Sequence, residues 1–82
     1  MPTVLRIHGM RVIIYTDDHS PAHVHAFEQG GVAVVVLNCP DGPPEVRERS
    51  RMPKRRADRI AGELAPWVRQ LCREWETLHG EA

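Results

Sequence analysis

The sequence predicts an α+β fold, with about four antiparallel strands packed by a C-terminal helix or a proline-kinked helix pair. Two observations support this fold class. The first half holds short runs of β-branched residues separated by turn formers, a pattern typical of strands and hairpins. The second half carries apolar residues at steps of three and four, which indicates one helix face. With 82 residues and no composition break, residues 1–82 are expected to form a single domain.

The strands are predicted at residues 3–7, 10–15, 23–27 and 32–37. The pair His8-Gly9 separates the first two runs and favours an antiparallel hairpin, and the segment EQGG provides a turn before the fourth run. That fourth run, VAVVVL, is apolar on both faces, which favours a central or well-covered position. The segment VRERSR at residues 46–51 is compatible with either extended or irregular structure.

The helical region is predicted at residues 53–79, where Pro53 suits a first turn and Gly80 a stop. Pro66 lies inside the apolar stripe and should kink the helix or split it in two. The stripe needs an apolar partner, and the sheet face is the obvious one. Trp67 and Trp75 lie on this stripe, so they are interpreted as core residues or, alternatively, as anchors of a partner interface.

The composition excludes several classes of protein. Hydrophobic residues make up 41% and charged residues 27%, which fits a globular chain and not a disordered one. No apolar run approaches the roughly 20 residues that a membrane span needs, and no secretory signal is recognisable, so we expect a cytoplasmic protein without a membrane partner.

Cys39 and Cys72 are expected to be reduced, structural thiols. A chain this short buries a modest core, so a homodimer is also considered.

The formal net charge of zero conceals one basic block between residues 47 and 59. Its seven members are Arg47, Arg49, Arg51, Lys54, Arg55, Arg56 and Arg59. Such a block predicts binding to RNA, DNA or an acidic partner, because several cations could neutralise phosphates. The alternative is a solvated surface with ion pairs such as Arg55 with Asp58 or Arg59 with Glu63.

The stretch TDDHSPAHVH, residues 16–25, holds three of the five histidines. On a strand, His23 and His25 would point to one face about 7 Å apart. Three interpretations remain open. The first is a zinc or nickel site formed by His19, His23 and His25, with Asp17 or Asp18 as an oxygen ligand. The second is acid–base catalysis of RNA cleavage by His23 and His25, oriented by His19 or Asp18, in a metal-independent or metal-assisted ribonuclease for which no cofactor is expected. The third is a polar turn before a strand whose histidines are structural.

The order of these parts resembles the small bacterial family called domain of unknown function 4160. The resemblance is carried by the opening Met-Pro-Thr, two strands, the signature at His19, Pro21, His23 and His25, and the segment LCREWETLHG. Ala22 departs from the family pattern, in which a second proline is usual. The resemblance implies the α+β layout and a toxin–antitoxin-like gene pair, whose second member is a small protein of the family called domain of unknown function 2442. It also implies action on RNA or on the translation apparatus.

Overall fold

The computed structural model describes residues 3–80 and contains one antiparallel sheet in which each strand pairs with the next along the chain. The α+β fold class is confirmed. Residues Met1 and Pro2, which begin the family pattern, and residues 81–82 of the predicted domain lie outside the described part. The elements are β1 Thr3–Ile7, β2 Met10–Ile14, β3 His23–Glu28, β4 Gly31–Val36, β5 Glu45–Ser50, α1 Lys54–Leu64, a 3₁₀ turn Ala65–Trp67 and α2 Val68–His79.

Two tight turns set the register of the sheet. His8 and Gly9 join β1 to β2 with φ values of 50° and 80°, and Gln29 and Gly30 join β3 to β4 with φ values of 50° and 79°. Positive φ at both central residues is the signature of the type I′ turn, whose twist matches that of the flanking strands. Both hairpins expected from the sequence are therefore present.

The count of about four strands is one too low, because Glu45–Ser50 forms a fifth strand against β4. This strand lies at the edge of the sheet, and of its six residues only Val46 is not exposed. Because its side chains apart from Val46 are exposed, this strand shows no hydrophobic alternation, and its sequence is equally compatible with extended and irregular structure. The register shifts between Val34 and Val35, where β5 contains an irregularity.

The helical region is a kinked pair, as the sequence predicts. Pro66 lies in the 3₁₀ turn between the two helices, and Gly80 ends α2 with φ of 90° and its N–H donating to the carbonyl of Glu76 at 2.7 Å. Pro53 has an extended backbone and immediately precedes α1.

The core lies between one face of the sheet and the apolar stripe of the helices. The largest fully buried side chains include Met10, Ile14, Leu37, Leu64 and Trp75. Trp75 is 1% exposed, so the structure places it in the core and not on a surface available to a partner, whereas Trp67 is only partly buried. Among the described residues, His23 is the one buried polar side chain, which makes its surroundings the natural place to look for a site.

The expectation of reduced thiols is wrong, because Cys39 and Cys72 form a disulfide. Cys39 lies in the loop after β4, and Cys72 lies in the middle of α2. The two cysteines are separated by 33 positions, so nothing in their spacing reveals that packing α2 on the sheet brings them together. The bond ties this loop to α2.

Within the described range, no helix is long and apolar enough to cross a bilayer.

Candidate metal centre

Asp18 is positioned by a tight turn that follows β2. The backbone N–H of Asp18 donates to the carbonyl of Tyr15, and the N–H of Tyr15 donates to Oδ2 of Asp18, both at 3.3 Å. Aspartate side chains often close turns in this way. The turn directs the carboxylate towards the first residues of β3, whereas the neighbouring Asp17 is exposed.

Three side-chain atoms from this turn and from β3 converge on one point. Oδ2 of Asp18 lies 3.4 Å from Nε2 of His23 and 3.8 Å from Nδ1 of His25. One ligand atom from each of the three residues lies within 4.8 Å of the others. Two ligands held about 2.1 Å from a tetrahedral ion are about 3.4 Å apart, so the cluster is close to the spacing of a metal site.

The hydrogen bond of His23 fixes which ring nitrogen faces the cluster. Nδ1 lies 2.8 Å from the carbonyl of Pro21, and because a carbonyl can only accept, Nδ1 carries the proton. In the neutral ring, Nε2 then presents a lone pair to the carboxylate of Asp18. Two acceptors facing each other at the buried end of a strand need a proton or a cation between them.

His25 presents a ring nitrogen to the same point. Its Nδ1 is buried and has no hydrogen-bond partner among the described residues. Burial of the ring lowers the pKa of His25 from the usual 6.5, with the Asp18 carboxylate opposing and His23 adding to the effect. The ring of Tyr15 packs edge-on against it at 4.9 Å. The imidazole is therefore held mostly neutral, which is the form that binds a metal.

Two residues in the second half of α2 contact the cluster and the turn that carries Asp18. The ring of Trp75 lies 5.3 Å from that of His23 and 4.0 Å from that of His79. Nε2 of His79 donates to the carbonyl of Tyr15 at 3.1 Å, so α2 also holds the turn that carries Asp18. The sequence predicts no role for His79, although its position one helical turn after Trp75 places the two on one face.

The structure brings together most of the predicted cluster and leaves one member out. The rings of His23 and His25 are 5.5 Å apart on neighbouring positions of one strand face. His19, which the sequence predicts as a metal ligand or as an orienting group, is exposed and does not belong to the converging set. Asp18 takes the third position.

The basic block is partly neutralised by nearby carboxylates. Arg59 pairs with Glu63, as the ion-pair alternative predicted, but Asp58 pairs with Lys54 and not with Arg55. Glu28 at the end of β3 takes contacts from both Arg56 and Arg59. Arg49 donates to the carbonyl of Met52. The remaining members, Arg47, Arg51 and Arg55, have exposed side chains.

These features define the class: a small α+β protein with a meandering sheet, helices on one face and an Asp-His-His cluster where β3 begins. A family model described as "Domain of unknown function (DUF4160)" matches residues 9–76, and the chain belongs to this family. The matched range contains Asp18, His23 and His25. No curated protein and no solved structure matches the chain.

Proposed function

We propose that the protein binds a divalent transition-metal ion through Oδ2 of Asp18, Nε2 of His23 and Nδ1 of His25. The observation that carries this proposal is the pair of lone-pair atoms on Asp18 and His23 that face each other at 3.4 Å beside the unpartnered Nδ1 of His25. A cation at this point would contact all three atoms at once. The Pro21 carbonyl supplies the outer hydrogen bond that metal-binding histidines almost always make.

The ligand types indicate which metals fit. Two imidazole nitrogens and one carboxylate oxygen suit zinc, and also nickel or ferrous iron, better than magnesium or calcium, which favour all-oxygen sites. Three protein ligands leave at least one coordination position for water or another molecule. Sites of this kind are more typical of reactive or exchangeable metals than of closed structural ones.

The same geometry argues against acid–base catalysis by His23. Both of its ring nitrogens face protein atoms, and the residue is 4% exposed. A general base needs a nitrogen within reach of a substrate proton. His25 is more accessible, with 22% of its side chain exposed, but Nδ1 points inwards to the cluster. Metal binding by both histidines explains why Nε2 of His23 and Nδ1 of His25 point to the cluster.

Zinc binding by untagged, metal-stripped protein tests the proposal, with calorimetry for affinity and elemental analysis for stoichiometry. We expect one zinc per chain in the wild type. His25→Ala and Asp18→Asn should each weaken binding by at least about a hundredfold, because losing even an outer-shell partner typically costs ten- to a hundredfold. The same competition assay with nickel would rank the two metals.

The chain offers matched controls at adjacent positions. His19→Ala and Asp17→Asn remove the same chemical groups from exposed neighbours, so both should bind zinc like the wild type. The proposal fails if the wild type takes up no zinc, or if the control variants lose it as completely as the ligand variants do.

The toxin–antitoxin role, the small protein partner, nucleic-acid binding, ribonuclease activity, a homodimer and a cytoplasmic location stay predictions. Geometry supports the nucleic-acid prediction less than the metal site, since four of the seven basic side chains contact acceptors within the protein. Co-expression with the neighbouring gene product and co-purification would test the partner. Growth unaffected by expression of the chain alone would argue against a toxin.

A further inference from the structure

The Cys39–Cys72 disulfide joins the two segments that hold His23 in place. One of these segments is the loop after β4. The N–H of Leu37 donates to the carbonyl of Ala22 at 3.0 Å, which fixes the start of the loop beside the residue before His23. Cys39 and Pro21 line one small cavity of about 260 Å³. The carbonyl of Pro21 is the acceptor that sets the tautomer of His23. The loop after β4 therefore packs beside the residues that orient His23.

The second segment is α2. Cys72 and Trp75 are three positions apart on this helix and therefore lie on the same face. Both are buried, at 4% and 1% exposure. Trp75 packs against the ring of His23, and His79 in the next turn holds the carbonyl of Tyr15 in the Asp18 turn. A shift of α2 would therefore reach two of the three ligands.

The disulfide is open to thiol chemistry from the surface. Cys39 is only partly buried, and a second cavity of about 250 Å³ reaches Cys72 between Pro40, Asp41, Arg69 and Arg73. A thiolate of an external dithiol attacks Sγ of Cys39, the sulfur–sulfur bond breaks and Cys72 leaves as a thiolate. Two arginines and the carboxylates of Asp41 and Glu76 line this cavity, and Arg69 pairs with Asp41. The second external thiol then releases Cys39. The external dithiol ends as a disulfide, and the protein gains two electrons and two protons as two thiols.

We propose that this disulfide is a redox switch for the metal centre. With the bond formed, the β4 loop and α2 are joined and hold His23 from both sides. After reduction, α2 is free to move away from the loop, the packing of Trp75 on His23 loosens, and metal affinity falls. This inference rests on the proposed metal binding and names its regulation.

The test compares the zinc affinity of oxidised wild type, wild type reduced with a phosphine, and the double variant Cys39→Ser/Cys72→Ser. We expect a loss of at least tenfold in the reduced protein and in the double variant. The phosphine should leave the double variant unchanged, which excludes an effect of the reductant itself. Because the double variant has no thiols, its zinc affinity contains no contribution from zinc bound to free cysteines. Circular dichroism confirms that each sample is folded at the assay temperature.

A control separates the switch from general destabilisation. Ile60→Ala removes a buried side chain from α1, a helix that holds neither cysteine and none of the ligands, and should lower stability while leaving zinc affinity within about twofold. Equal zinc affinity in the oxidised, reduced and double-variant proteins would overturn the switch. So would a loss in Ile60→Ala as large as that in the double variant.

A reciprocal measurement keeps the proposal testable if the double variant does not fold. Wild type is equilibrated in monothiol redox buffers with and without a saturating free-zinc concentration set by a metal buffer, and free thiols are labelled after acid quenching. If the disulfide raises zinc affinity tenfold, zinc must lower the reduction midpoint of the disulfide by about 30 mV. No shift, or a shift to higher potential, contradicts the switch. Absence of zinc binding by every form instead contradicts the proposed function.

Discussion

His23 joins three roles at one buried position. It begins β3, contacts Trp75 of α2 and directs Nε2 at Asp18, while its Nδ1 is held by the Pro21 carbonyl. A histidine with both nitrogens directed in this way has one fixed tautomer and one orientation. This preorganisation means that a metal would find its ligand already aligned, with little rearrangement needed on binding.

The lowered pKa of His25 predicts how stability changes with acidity. Burial holds the pKa of His25 in the folded protein below 6.5, so the unfolded chain takes up the proton first as pH falls. Stability contributed by the neutral ring is therefore present at neutral pH and lost as pH drops below about 6.5. A nuclear magnetic resonance titration of the metal-free protein should place the midpoint of His25 below that value.

Urea unfolding provides the corresponding control. Between pH 7.5 and pH 5.5 the wild type should lose more stability than His25→Gln, in which this titrating group is absent. A His25 midpoint at or above 6.5 would contradict the assignment of burial as the dominant influence on its pKa.

Residue types and spacing were enough to single out the cluster, but they did not identify every member. His23 and His25 follow from the two-residue period of a strand, which is a strict rule. The choice among Asp17, Asp18 and His19 depends on the backbone of the preceding turn, and all three are adjacent polar residues in a loop. Only the hydrogen bonds between Tyr15 and Asp18 decide it.

Among the elements, the helices were predictable because each buries one face at the helical period, and the first four strands because they are short β-branched runs bounded by turn formers. β5 was not, since its pairing with β4 uses backbone groups while its side chains face solvent. The disulfide lay beyond sequence reasoning for a related reason. It depends on how α2 packs on the sheet, and the separation of the two cysteines in the sequence does not predict that packing.

The start of β4 depends on one close approach between elements. A methyl group added at Gly31 would collide with the backbone carbonyl of Arg51, which follows β5. We expect Gly31→Ala to lower the free energy of unfolding by about 1 to 3 kcal/mol, because backbone and not a flexible side chain must move. Chemical denaturation of the purified variant measures this change.

Gly62 is the matched control for that substitution. It is exposed in α1, and nothing lies within 4 Å of the added carbon. Gly62→Ala should raise stability by roughly 0.5 to 1 kcal/mol, because alanine is the better helix former. A Gly31→Ala variant as stable as the wild type would show that β4 and β5 are not held at this distance.

At the scale of the whole molecule, the disulfide compensates for the small core of an 82-residue chain. It closes a loop across a sequence separation of 33 and connects the sheet to the last helix. Reduction should lower the free energy of unfolding by about 3 to 4 kcal/mol, because the unfolded chain regains the conformations that the bond excluded.

Urea denaturation with and without a phosphine measures this contribution, and Cys39→Ser/Cys72→Ser should match the reduced wild type. A change below about 1 kcal/mol would mean that the bond adds little to the fold. The stability of the reduced protein is a separate quantity from its zinc affinity, so this result stands whether or not the switch operates.

The ligands of the metal centre and the residues that support them are synthesised at different times, because they lie far apart in the sequence. Asp18, His23 and His25 lie within eight consecutive residues, so every ligand has been added to the chain once β3 is complete. Trp75 and His79, which contact His23 and the Asp18 turn, are added only when α2 is synthesised. A chain that ended before α2 would keep a complete set of ligands but lose their support. The packing of α2 thus holds ligands that are close together in the sequence in one defined coordination geometry.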